Sequence, residues 1–153
     1  SSDELRLWFR NVQKRLFIGI ATELLLKAIY LKNGFNINKP KRGKNVQFPE
    51  LINNLNEDDL NAADTYTLAD LINNLDKVLA FINDITRIKE GLNICKVFRN
   101  KEGHVAVHWH KFESENYSQI EYSIIELYKL GLNEKLDFSI SMKGTQDGKF
   151  EIK

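Results

Sequence analysis

The hexapeptide Arg99-Asn100-Lys101-Glu102-Gly103-His104 gathers side chains that can handle phosphate without a metal. An arginine holds two phosphate oxygens with its planar fork. A histidine moves a proton near neutral pH. Metal-free cleavage of RNA has three needs: the ribose 2′-hydroxyl must lose its proton, the leaving 5′-oxygen must gain one, and the charge on the crowded phosphorane must be stabilised. His104 suits either proton transfer. Arg99 suits the equatorial oxygens, and Asn100 can orient the imidazole or contact the substrate. This set requires no cofactor.

The spacing imposes a condition. On an ideal helix Arg99 and His104 lie roughly 140° apart, whereas Asn100 and His104 share a face. The pair converges if Arg99 reaches round on its long stem, if the chain bends near Gly103, or if a second subunit completes the site. A carboxylate enters from elsewhere. Glu23 stands in an apolar helical stretch, where an unpaired charge is expensive. It has two readings: it accepts a bond from Arg99 or orients His104, forming an Arg/Glu/His cluster, or it pairs with Lys27 one turn on.

The histidines supply a rival chemistry. His104, His108 and His110 are the only histidines and fall within seven residues. Read as a strand, residues 104–110 put all three imidazoles on one face, an arrangement that could bind zinc or iron. Read as a helix, His104 and His108 share one face while Val105, Trp109 and Phe112 pack on another. The surrounding pattern favours the helix, and no acidic or cysteine ligand stands close, so the metal-free reading leads. Cys95 reads as a small buried apolar residue, and Trp8 and Trp109 as core anchors. Lys39, Lys41, Arg42 and Lys44 crowd the connection over residues 35–49. By composition that stretch is a solvated loop; by charge it could track an RNA backbone.

These residues need elements to position them. Ser2 or Asp3 can cap a long helix in which Leu5, Trp8, Val12, Leu16, Gly19, Ala21, Leu24, Leu25, Ala28 and Leu31 keep helical spacing, with Gly34 as its stop. Gly19 would bend that helix or admit a close neighbour. Pro49-Glu50 can open a short helix. The word Leu51-Ile52-Asn53-Asn54-Leu55 recurs at 71–75, and both copies read as amphipathic helical pieces. Thr67 or Asp64 can cap a helix through Asp70 and Leu79. Phe81 to Phe98 keeps helical spacing, with Gly91 as a weak point. Ser114-Glu115 caps a further helix that Gly131 stops. At the tail, Phe138, Ile140 and Met142 alternate with polar residues, and Phe150 and Ile152 follow a glycine-rich turn, which reads as a hairpin.

In this helical setting Arg99, Asn100 and His104 match an Arg-polar-x-x-x-His pattern in full. With the segment Thr22-Glu23-Leu24-Leu25-Leu26-Lys27-Ala28-Ile29-Tyr30-Leu31-Lys32 followed by Gly34, the chain resembles the HEPN family of nucleotide-binding helical domains. The resemblance covers roughly residues 5–130 and is specific in the Arg99–His104 segment. It implies a metal-independent endoribonuclease acting on RNA. It also implies a homodimer whose two Arg/His sets face a shared cleft, and a role as a toxin, in abortive infection or in CRISPR-linked defence, with an antitoxin or fused regulatory domain as partner. Other members have lost catalysis and serve as interaction or dimerisation modules. The C-terminal hairpin departs from the minimal family pattern.

Composition bounds the rest. The 153 residues are 42% hydrophobic and 28% charged, values of an ordinary soluble domain. A net charge of +1 rules out a global polycation, so any RNA affinity must be local. One cysteine cannot form an internal disulfide, which fits a reducing cytoplasm. Leu16 to Leu31 is broken by Thr22-Glu23 and Lys27, so no membrane span or signal peptide is expected. The chain opens Ser1-Ser2-Asp3, as a trimmed piece of a larger protein would. The expected fold is one all-α domain over 1–153: a HEPN-type bundle, helical over about 3–131, with a small β-hairpin over 136–153.

Overall fold

Helix α1 spans Ser2–Lys32, as the apolar spacing predicts. Asp3 and Glu4 in its first turn and Lys32 in its last complement the helix dipole. It ends where Gly34 takes a φ of 84°, a backbone that glycine adopts without strain. The computed structural model describes residues 2–39, 47–52, 64–100 and 114–133, the side chains of Trp8, Phe9 and Asn100 excepted. The expected hairpin over 136–153, the three histidines and Trp109 lie outside the described residues, as do Lys41, Arg42 and Lys44.

Among the described residues the regular structure is helical, with two isolated bridges in place of a sheet. After α1 come α2 (Leu68–Asn73), α3 (Leu75–Val78), α4 (Ile85–Asn100) and α5 (Ser114–Gly131). Thr67 caps α2 with a reciprocal box: its hydroxyl accepts from Asp70 N, and the Asp70 carboxylate accepts from Thr67 N.

The connections and helix starts differ in part from expectation. Leu51 bridges antiparallel to Phe35 and Ile52 enters a 3-10 turn, and the rest of the short helix expected after Pro49-Glu50 lies outside the described residues. Asn36 N donates to Glu50 O and Ile52 N to Gly34 O, which pairs the backbone on both sides of that bridge. The described part of the 35–49 connection is not simply solvated either. Asn38 bridges to Thr65, and Phe48 stacks between Tyr30 and Tyr66, with ring centroids 5.7 and 3.7 Å away. The expected helix through Asp70 and Leu79 breaks at Asn74, whose side-chain amide donates to Asp70 O and competes with the helical ladder. Helix α4 starts at Ile85 rather than near Phe81. Asn83-Asp84 favour a turn there, and Phe81 stands in solvent.

The core forms where α1, α2, α3, α4 and α5 turn their apolar faces inward. Leu26, Ile29, Leu71, Leu75, Leu79, Leu92 and Leu127 are fully buried there. Tyr30 is buried too, and its hydroxyl donates to Leu71 O at 2.6 Å, tying α1 to α2. Gly91 is a contact point rather than a weak point. A Cβ at that position would overlap the Ser123 hydroxyl and the Gln119 carbonyl, so α4 and α5 meet at backbone distance. Ser123 Oγ lies 2.8 Å from Ile88 O and 3.0 Å from Gln119 O, which satisfies a buried hydroxyl at that crossing. Gly131, at the end of α5, packs similarly onto Ile29 of α1. Helix α4 is thus held between α5 and α1, and this presents its last turn to the middle of α1.

Candidate functional site

Arg15, Gly19, Glu23 and Lys27 recur every four residues and form one row along α1. This row meets the C-terminal end of α4. At Gly19 an added Cβ would stand 2.8 Å from Arg99 N and 2.9 Å from Arg99 Cβ. The helices therefore touch through backbone, and of the two readings of Gly19 the close neighbour is the one observed. This contact brings the base of the Arg99 side chain directly over α1.

One turn along, Glu23 receives the arginine. Arg99 Nε donates to Glu23 Oε2 at 3.0 Å. The other oxygen, Oε1, pairs with Lys27 Nζ at 3.3 Å, and Lys27 Nζ donates on to Thr65 Oγ1 at 2.9 Å. Glu23 thus bonds Arg99 with one oxygen and Lys27 with the other, while His104, the third member of the expected cluster, lies outside the described residues. The Glu23 side chain is 17% exposed and that of Lys27 19%, against 37% for Arg99. The carboxylate is thus shielded and flanked by two cations, and Arg99 is the most exposed of the three side chains. A last-turn position also suits a cation, because the C-terminal end of a helix carries partial negative charge.

Below this pair lies a second apolar cluster of Cys95, Phe98 and Ile120. Arg15 is buried against it, with its guanidinium 5.6 Å from the Phe98 ring and its Nε donating to Tyr117 Oη at 3.3 Å. Lys14 sits 5.0 Å from the same tyrosine ring. Burial pushes the Cys95 thiol up to about 11, a hydrogen bond with Thr22 opposing the shift only in part. At neutral pH that sulfur is a protonated core atom, as the sequence suggests.

Of the candidate catalytic residues the structure brings Arg99 and Glu23 together and places Asn100 as the last residue of α4. His104 follows beyond the described residues. Lys39 is half-buried, and its backbone N–H donates to Asp64 O at 2.8 Å. Among the described residues no cluster of histidine, cysteine, aspartate or glutamate could hold a metal ion, and no helix is long and apolar enough to cross a membrane. Thr65 ends the polar row without a local sequence signal. Thirty-eight residues separate it from Lys27, and no periodicity links them. Lys27 and Arg99 do not compete for Glu23, since the carboxylate holds both. Comparison with protein-family models, curated proteins and solved structures gives no match.

Proposed function

We propose that this chain is a metal-independent endoribonuclease of the HEPN kind, cleaving RNA by 2′-hydroxyl attack and leaving a 2′,3′-cyclic phosphate. The observation that carries the reading is the Arg99–Glu23 pair. A guanidinium anchored through Nε has a fixed plane, and a fixed plane is what fork-like recognition of a phosphate or phosphorane needs. Arg99 stabilises the developing charge, His104 transfers protons and Asn100 orients. Glu23 is the positioning residue that acts through Arg99. Lys39, Lys41, Arg42 and Lys44 track the RNA backbone, so binding weakens as salt rises.

In this reading the enzyme works in the cytoplasm as a homodimer, with two Arg/His sets facing one cleft, as the family resemblance implies. Its biological setting is a toxin or abortive-infection effector restrained by an antitoxin or a fused regulatory domain. The test is product chemistry. RNA incubated with the protein in excess EDTA should yield fragments ending in a 2′,3′-cyclic phosphate. Fragments with a 3′-hydroxyl and a 5′-phosphate would reject 2′-hydroxyl attack. Activity lost in EDTA and restored by zinc or iron would move the chemistry to His104, His108 and His110.

A further inference from the structure

On the outer face of α1, Phe17, Ala21, Leu24, Ala28 and Leu31 follow at intervals of four, three, four and three residues. That spacing lays them in a single stripe along the helix. All five are exposed, with Phe17 at 66%, Leu24 at 61% and Leu31 at 46%. Single exposed apolar side chains are ordinary, but an aligned row of three large ones over about 21 Å marks a surface that something covers. The stripe runs beside the polar row of the candidate site: Leu24 adjoins Glu23, and Ala28 adjoins Lys27.

The chain's own course names the occupant. Helix α5 ends with Gly131 packed on Ile29. Lys32 Nζ donates to Leu132 O, and Asn33 Nδ2 donates to Gly131 O at 3.4 Å. The chain therefore leaves Asn133 beside the last turn of α1, at the Leu31 end of the stripe. Twenty more residues follow, 134–153, and they contain the alternating set Phe138, Ile140 and Met142. Fully extended they reach about 66 Å, three times the stripe. A second copy of the chain fits less well. Five side chains fall far short of the 20–30 residues a side, roughly, that a stable interface between separate proteins uses. A tethered segment needs much less, because its effective concentration is on the order of millimolar.

We propose that residues 134–153 return along α1 and lay Phe138, Ile140 and Met142 on the Phe17–Leu24–Leu31 stripe. The docked segment flanks the Glu23–Lys27 row and gives an alternating apolar strand the support that an isolated hairpin lacks. Nothing in this inference depends on catalysis.

Cross-linking of the full chain tests it. Ala28→Cys is combined with Ser141→Cys, and a short bifunctional maleimide is added while Cys95 stays buried. The expected product has monomer mass, and its yield is unchanged by tenfold dilution. The yield should drop at least fivefold when Phe138, Ile140 and Met142 are all replaced by serine. A control pair of Ser141→Cys with Ser118→Cys, on the exposed face of α5, should cross-link at least fivefold less. A dimer-mass product that disappears on dilution would assign the stripe to a second copy and overturn the proposal. So would a monomer-mass yield no higher than the control, or one indifferent to the serine substitutions.

Discussion

Glu23 and Arg99 stand 76 residues apart in sequence and meet through a 3.0 Å hydrogen-bonded ion pair, one helical turn from the backbone contact between Gly19 and Arg99. The two contacts depend on each other. Arg99 comes within reach of Glu23 because residue 19 has no side chain, and Glu23 can hold it because Lys27 takes the other carboxylate oxygen. The carboxylate is flanked by one cation from its own helix and one from a neighbour.

Gly19→Ala tests the close approach. Its Cβ would press on Arg99 N and Cα, backbone atoms that move only with the whole helix. Overpacking of this kind costs about 1–3 kcal/mol, while alanine regains about 1 kcal/mol of helix propensity. The net expectation is a loss of up to about 2 kcal/mol by urea unfolding, together with weakened pairing of Arg99 to Glu23. An unchanged midpoint would mean that the helices cross elsewhere.

Gly91→Ala should be the more damaging of the two glycine changes. Two groups of α5 stand in the way, the Ser123 hydroxyl and the Gln119 carbonyl. Adding Ser123→Ala removes only the first, so the double variant should recover little. Full recovery would show that the serine alone sets the spacing of α4 and α5.

Much of this architecture is legible in the residues themselves, and the illegible parts share a cause. The extent of α1, the Gly34 stop, the Thr67 cap and the Gly131 end follow from local signals. The Glu23–Arg99 pair could be anticipated because a carboxylate in an apolar stretch demands a cation. The role of Gly91 could not, since a glycine in a helix looks like a weakness until the facing residues Gln119 and Ser123 are known. The Asn38–Thr65 bridge, the Phe48 stack and the Lys27–Thr65 bond depend on long-range pairing, and no periodicity encodes them.

Alkaline stability should carry the signature of Tyr30. Burial, the largest cause, pushes its phenol above the ordinary value of 10.0. The folded state therefore keeps a proton that the unfolded chain gives up. The stabilisation is complete below pH 10 and is lost as pH rises above it. Tyr30→Phe should lower stability by about 1 kcal/mol at pH 7, since the bond to Leu71 O is lost. It should also shrink the loss measured above pH 10. An identical alkaline slope in both proteins would contradict the assignment.

Cys95 should resist thiol reagents. Its pKa rises from 9.0 to about 11 in the fold, which lowers the thiolate fraction at pH 8 about a hundredfold. Labelling of the native protein should therefore be slower than that of the urea-unfolded chain by at least about that factor. Comparable rates would indicate that the α4 core opens readily.

Glu23→Gln isolates the positioning role. The amide keeps the size of the side chain and removes the charge that orients Arg99. Cleavage should fall about tenfold to a hundredfold in kcat, with RNA affinity and its salt dependence little changed. Lys27→Met should fall less, because Glu23 keeps its bond to Arg99. A matching loss of RNA affinity in the glutamine variant would make Glu23 a structural residue instead.

The central claim is that Arg99, held by Glu23, and His104 form metal-free machinery for cutting RNA. Single-turnover cleavage of an end-labelled RNA in excess EDTA tests it most directly, with wild type, Arg99→Ala and His104→Ala side by side. Wild type should cleave, and each substitution should reduce the rate by at least about 10² to 10³ without unfolding the protein. Cleavage that survives both substitutions, or a wild type that is silent until a transition metal is supplied, would contradict it.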